Sequence, residues 1–182
     1  MFLRTERMFL RPAWLEDAPE LTRAIGQEPV VRMLARVPWP YREEHARQWI
    51  EASRDSRLPN LLLTLPDEGG RIAGGCGLHD EEGRVELGYW VAPEHWSRGY
   101  ATEAVRGLLL LARLAGHRRI TARHAMDNPA SGRVLRKVGF RPTGRACAFH
   151  SLGRGARVEG PEYMLDLAEA DGPQDAPMRK AA

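Results

Sequence analysis

A chain of 182 residues can form one domain with a real core, and a composition of 43% hydrophobic and 28% charged residues is that of an ordinary globular protein. No apolar run approaches the roughly 20 residues of a membrane span: the longest, over 108–111, is flanked by Arg106 and Arg113, and the opening MFLRTERMFLRP is broken by Arg4, Glu6 and Arg7, unlike a secretory signal. The net charge of +3 suits a polyanionic ligand, but there is no run of five like charges, so neither a nucleic-acid nor a membrane partner is expected, and the two cysteines, Cys76 and Cys147, make no disulfide framework, so a reduced, cytoplasmic setting is the expectation.

In chain order, TERMFLRP (5–12) alternates as a first strand ended by Pro12. Asp17, followed by Pro19 and Glu20, reads as the capped start of a helix running to about Gly26. A second helix is predicted within PWPYREEHARQWIEAS, with Ala46, Trp49 and Ile50 on one face. NLLLTL (60–65), RIAGGCGLH and RVELGYWV read as three strands, the last two joined by the turn DEEG. Ala104, Val105, Leu108, Leu109, Leu111, Ala112 and Ala115 recur at helical spacing, and Gly116 stops that helix. RITARHA is strand-like, DNPASGRVLRKV is a helix ended by Gly139, and FRPTGRACAFH and VEGPEYMLDL are a final pair of strands. From Ala168 the composition becomes small and polar, so one domain over 1–167 and a frayed tail over 168–182 are expected. The order implies a single α/β sheet of about seven strands with helices on its faces, not a doubly wound nucleotide fold.

HWSRGYATEAV (95–105) places Gly99 and Ala101 at the mouth of a helix. Small residues there let the N–H groups of about Arg98 to Thr102 converge on an anion, helped by the helix dipole, and a pyrophosphate fits such a site. Arg98 could add a charge-assisted contact. The plainer reading is a tight strand-to-helix turn. No Gly-Lys-Ser/Thr follows, so it is not a nucleotide-triphosphate loop, and a third glycine of the dinucleotide fingerprint is missing.

The stretch Trp96-Ser97-Arg98-Gly99-Tyr100-Ala101-Thr102-Glu103-Ala104 resembles the acetyl-CoA signature of the GCN5-related N-acetyltransferase (GNAT) family, in the branch similar to ribosomal-protein alanine N-acetyltransferases. Thr5 to Pro12 resembles that branch's opening, and Asn128, Ser131, Gly139 and Phe140 match its later N-x-x-S…G-F element. The resemblance implies a seven-stranded, mixed, mostly antiparallel sheet splayed between strands 4 and 5, flanked by about four helices. It further implies acetyl-CoA as donor, lying in the splay. Pantetheine would pair with the fourth strand around Trp90 and Val91. The pyrophosphate would take the cradle formed by Trp96, Arg98, Gly99, Tyr100, Ala101 and Thr102, and Asn128 and Ser131 would face pantetheine and sulfur. Two departures are visible: Trp96 stands where the family has Gln or Arg, and Leu135 where many members carry a tyrosine that protonates the thiolate.

Acetyl transfer needs a neutral amine, whose ammonium form has a pKa near about 10. Glu86, in the strand RVELGYWV, is the candidate base at the position of the catalytic glutamate in the family's histone-acetylating members. The alternative is an exposed strand glutamate. Ser131 either assists the leaving thiolate or, with Asn128, caps a helix. A backbone N–H near Val91 would hold the oxyanion. The spacing of Cys76 and His79 would suit a metal, but no second ligand pair accompanies them, and no metal is expected. Trp49 is assigned to the core, Trp39 is a candidate acceptor contact, and the Arg-rich 141–157 stretch hints at an anionic acceptor or simply a solvated face. The acceptor is a protein N-terminus or a small-molecule amine, and the protein a monomer or homodimer; a non-catalytic CoA-binding module is the alternative.

Overall fold

The protein was examined as a computed structural model, which describes residues 1–54 and 56–168; the tail expected over 168–182 lies outside them but for Ala168. The strand expected over 5–12 is two short strands, β1 (Leu3–Arg4) and β2 (Phe9–Arg11), so the sheet has eight strands where about seven were expected. The split has a local cause: Thr5 N donates to Met8 O at 2.9 Å and Met8 N donates to Thr5 Oγ1 at 3.2 Å, closing a turn over 5–8.

α1 (Ala18–Ile25) follows, but the capping box expected from Asp17 and Glu20 does not form. Asp17 instead accepts Trp14 N and both terminal nitrogens of Arg11, each at 2.7 Å. Burial pushes the Asp17 carboxyl up, but the Arg11 and Trp14 bonds outweigh it and leave it below its usual range. Glu20 accepts Ile72 N at 3.0 Å, which ties α1 to the sheet. A four-residue helix not expected from sequence, α2 (Glu28–Val31), precedes α3 (Glu43–Arg54), making five α-helices among the described residues.

Next come β3 (Asn60–Leu65), β4 (Arg71–Glu81), β5 (Arg84–Val91), α4 (Tyr100–Leu114), β6 (Arg119–Arg123), α5 (Pro129–Lys137), β7 (Arg141–Ser151) and β8 (Ala156–Asp166). The sheet order is β1-β2-β3-β4-β5-β6-β8-β7, antiparallel throughout except for the parallel β5–β6 neighbours. Helices cover both faces, which explains the continuous apolar run of β3. Leu61, Leu63 and Leu65 join Leu78, Leu108 and Leu135 on the α4/α5 face, while Leu62 joins Leu21, Ala46 and Ile50 on the α1/α3 face.

Candidate active site

β5 and β6 meet at one register pair, Glu86 with Thr121, and then part. Beyond that pair the sheet opens into a cleft of about 1270 Å³. This is the splay expected between the family's fourth and fifth strands. β5 itself decides which groups face it. Ala92 N donates to Ala73 O on the β4 side, and Val85 O accepts Thr121 Oγ1 on the β6 side. With a two-residue alternation, the amides of Leu87, Tyr89 and Val91 therefore point to the unpaired edge, and that of Trp90 points back toward β4. Leu87, Tyr89 and Val91 send their side chains to the α4/α5 face; Glu86 and Trp90 send theirs to the other. The Trp90 indole lies over Gly75, where a Cβ would come within 2.6 Å of its Nε1.

At one end of the cleft, Ser97 (φ 61°) and Gly99 (φ 82°) both adopt left-handed backbone just before α4. A turn of this kind presents successive N–H groups to one concavity. The first intrahelical bond of α4 is Glu103 N to Gly99 O at 3.1 Å, so the Tyr100, Ala101 and Thr102 amides have no helical acceptor. Those three residues line the cleft, as do Trp96, Ser97 and Gly99; Arg98 does not. The Arg98 guanidinium lies 3.9 Å from Glu68, and its carbonyl accepts Arg7 at 2.8 Å. The Tyr100 ring is packed under the Arg7 guanidinium, 4.7 Å away, so what it offers the cleft is its backbone. The Trp96 indole donates to Val91 O at 2.6 Å, pinning the end of β5 to the cradle. Arg7 and Glu103 form a brace that sequence reasoning missed: Glu103 accepts Thr5 Oγ1 at 2.7 Å and Arg7 N and Nε at 2.8 Å each.

At the fork, Glu86 faces the cleft with His79 Nε2 at 3.3 Å and Arg123 Nε at 3.2 Å, both on Oε1. Its side chain is only 12% exposed, so it is not the solvated strand residue of the plainer reading. Arg123 also bonds Glu81 at 2.6 Å, and Arg36 reaches the other Glu81 oxygen, so Glu86 is held by a charge network spanning β4, β5 and β6. Arg123 and Arg36 hold the Glu81 carboxyl below its usual range despite partial burial.

Across β5 from Glu86 lies α5. Asn128 caps it, Oδ1 accepting Ser131 N at 3.2 Å, which bears out the capping alternative for Asn128. The Ser131 hydroxyl is not used in that cap. It lies 2.7 Å from the Tyr89 hydroxyl. Leu135, one turn on, is fully buried. Tyr89 was passed over because alternation alone does not say which strand face meets a helix.

The rest of the cleft wall is more apolar. Trp49, expected in the core, lines it, together with Tyr41, Val37 and Phe149, while Trp39 does not and is 47% exposed. The β7–β8 turn is fastened across to the segment after α2: Ser151 Oγ donates to Leu34 O and Leu152 N to Ala35 O, each at 2.9 Å. Arg154 binds Asp127 bidentately at 2.8 and 3.0 Å, so this arginine of the 141–157 stretch has a structural partner. Cys76 is buried against the α4/α5 face, which pushes its thiol up to about 12, whereas His79 faces the opposite side with Glu86. Both residues lie in strand β4 with their side chains on opposite faces, so they cannot share an ion.

A family model described as acetyltransferase (GNAT) domain matches residues 7–141, and the chain belongs to this family of acyltransferases. It is 30% identical over 149 residues to an uncharacterized N-acetyltransferase, p20, of Bacillus licheniformis, covering 78% of this chain and 83% of the relative. Among solved structures, a GNAT-family acetyltransferase from Bacillus anthracis superposes with a TM-score of 0.78 at 22% identity, over 92% of this chain and 99% of that one. RimL, a ribosomal L7/L12 alpha-N-protein acetyltransferase solved with coenzyme A, does so with a TM-score of 0.74 at 18% identity, over 91% and 98%.

Proposed function

We propose that the protein moves an acetyl group from acetyl-CoA to a primary amine by direct attack in a complex holding both substrates. The observation that carries this reading is the parting of β5 and β6 at Glu86, with an N–H-rich helix mouth at the far end of the same cleft. The cradle fits a pyrophosphate: a glycine at φ 82°, three amides without helical acceptors, and the dipole of a 15-residue helix behind them. The coenzyme A complex of RimL supports the donor. The open edge of β5 supplies amides to the pantetheine arm, and Val91 N–H is the donor for the oxyanion.

Glu86 takes the amine proton, directly or through a water. His79 and Arg123 occupy Oε1 and fix the carboxylate, leaving Oε2 for that proton. The acceptor is a protein N-terminus or a small-molecule amine. A second reading, a CoA-binding module without catalysis, is favoured by one observation: Leu135 is fully buried and has no proton to give.

Two measurements separate these readings. Acetyl-CoA at about 100 times its dissociation constant should stabilise the fold by roughly 2.7 kcal/mol, and no stabilisation would remove the donor. Thiol release across a panel of amines, from N-terminal peptides to polyamines, should be acetyl-CoA-dependent. Stabilisation with no thiol release on any amine would leave the non-catalytic reading.

A further inference from the structure

Leaving sulfur needs a hydrogen-bond donor, and on α5 the residue one turn past Ser131 is an apolar, fully buried leucine. Two hydroxyls nevertheless meet beside the cleft, and one of them comes from the strand. Tyr89 OH is 2.7 Å from Ser131 Oγ and 3.2 Å from Ser131 O. We propose that Tyr89 is a positioning residue: by donating to Ser131 Oγ, it turns the serine's own O–H into the cleft, toward the departing sulfur. This rests on the acetyl-transfer reading above.

A single phenolic proton decides the arrangement. Tyr89 has one, and Ser131 offers it two acceptors. If the phenol donates to the carbonyl, the serine O–H points back to the phenol and is lost to the cleft. If it donates to Oγ, the shorter contact, the serine O–H is released to bond elsewhere. Both residues line the cleft, on the face of β5 opposite Glu86. The base and the hydroxyl pair therefore serve the two sides of one carbonyl.

The phenol stays protonated throughout: burial pushes Tyr89 up to about 12, with Ser131 pulling down and Tyr163 adding to the rise. An ordinary thiol ionises near about 8.5, so a proton handed from this phenol to the thiolate would go uphill. The balanced step needs no such transfer. The amine lone pair forms the new carbon–nitrogen bond, the carbon–sulfur bond breaks with its electron pair going to sulfur, the amine proton goes to Glu86, and the thiolate is held by the Ser131 O–H.

The test uses free coenzyme A as probe, with protein in excess, and follows the ultraviolet absorbance of its thiolate against pH. This readout needs no acceptor. A hydrogen bond to a charged group of the usual strength lowers the bound thiol by about 1 to 2 pH units. Tyr89→Phe should move it back up by about one unit, Ser131→Ala at least as far, and the double variant no further than Ser131→Ala. Fluorotyrosine at position 89, a stronger donor of the same shape, should move it down, which packing alone does not do. Coenzyme A affinity within about threefold at a pH well below the bound thiol's ionisation, where the thiol is protonated in every variant, shows that the site is intact. A bound thiol indifferent to Tyr89→Phe, or additive effects of the two substitutions, would overturn this inference alone. Failure of the wild-type protein to bind coenzyme A would overturn the donor reading and this one with it.

Discussion

Glu103→Ala removes the brace that joins the turn before β2 to the mouth of α4. The carboxylate accepts three hydrogen bonds, from Thr5 Oγ1, Arg7 N and Arg7 Nε, and is 15% exposed. Bonds to charged groups are worth about 1.5–3 kcal/mol each in favourable settings. The Arg7 side chain is 42% exposed, however, so its ionic contribution is screened to about 1 kcal/mol or less. In the variant the Thr5 hydroxyl turns to Met8 O, 3.1 Å away, which limits the loss further. A net cost of about 2–3 kcal/mol follows, a fall of about 4–12 °C in Tm for a domain of this size.

The pH dependence carries the sharper test of the same brace. Burial pushes the Glu103 carboxyl up, but Thr5 and Arg7 outweigh it and hold the pKa below the usual carboxylate range. A carboxyl depressed in the folded state contributes its full stability above the unfolded value, about 4.3, and loses it as pH falls through the folded value. Thermal unfolding of the two proteins from pH 7 to pH 3 should therefore show a gap that is constant above about pH 5 and closes below about pH 4. Asp17, Glu81 and Asp127 are shifted in the same direction and act equally on both proteins, so the difference isolates Glu103. A gap under about 1 °C at neutral pH, or one that widens in acid, would refute the reasoning.

Glu86→Gln should keep acetyl-CoA affinity and lower turnover by about 10²–10⁴; steady-state thiol release at saturating donor checks it, and unchanged turnover removes Glu86 from the mechanism. Gly132→Ala puts a Cβ 2.7 Å from His124 Nε2 and 3.0 Å from Tyr163 OH, both buried, so α5 must shift. Denaturant unfolding should show a loss of about 1–3 kcal/mol, with the Ser131 end of α5 displaced in a crystal structure. Arg154→Ala frees the β7–β8 turn from Asp127, whose carboxyl the guanidinium holds below its usual range. Asp127 is 48% exposed, so the ion pair itself should cost at most about 1 kcal/mol, with the bond to Arg32 O lost besides, while the KM for the amine rises and that for acetyl-CoA does not.

The cradle was legible because its cause is local. A left-handed Gly99 followed by a seven-position apolar helix stripe leaves its mark within one continuous stretch, 99–115. The two-faced β3 was legible for the same reason. The expected box from Asp17 to Glu20 failed because both carboxylates found partners outside the helix, on Arg11 and on Ile72 N, which no window around 17–20 contains. α2 has four residues, one of them Pro29, and carries no period to read. Trp49 has the spacing of a core residue and does pack, partly buried, against the α1/α3 cluster, while also bordering the cleft, which spacing alone does not show. Glu86 was chosen on resemblance, and the structure adds what sequence could not: a fork beside it and two cationic neighbours. Tyr89 needed the third dimension entirely.

The parity of β5 has a consequence for how the chain tolerates change. Between the fork at Glu86 and the indole clasp on Val91, the strand is a short ruler whose odd and even marks carry different duties. Point substitutions there alter one duty at a time. Gaining or losing a single residue would instead swap them, sending the carboxylate toward α5 and the phenol toward the amine, while the cradle stayed whole.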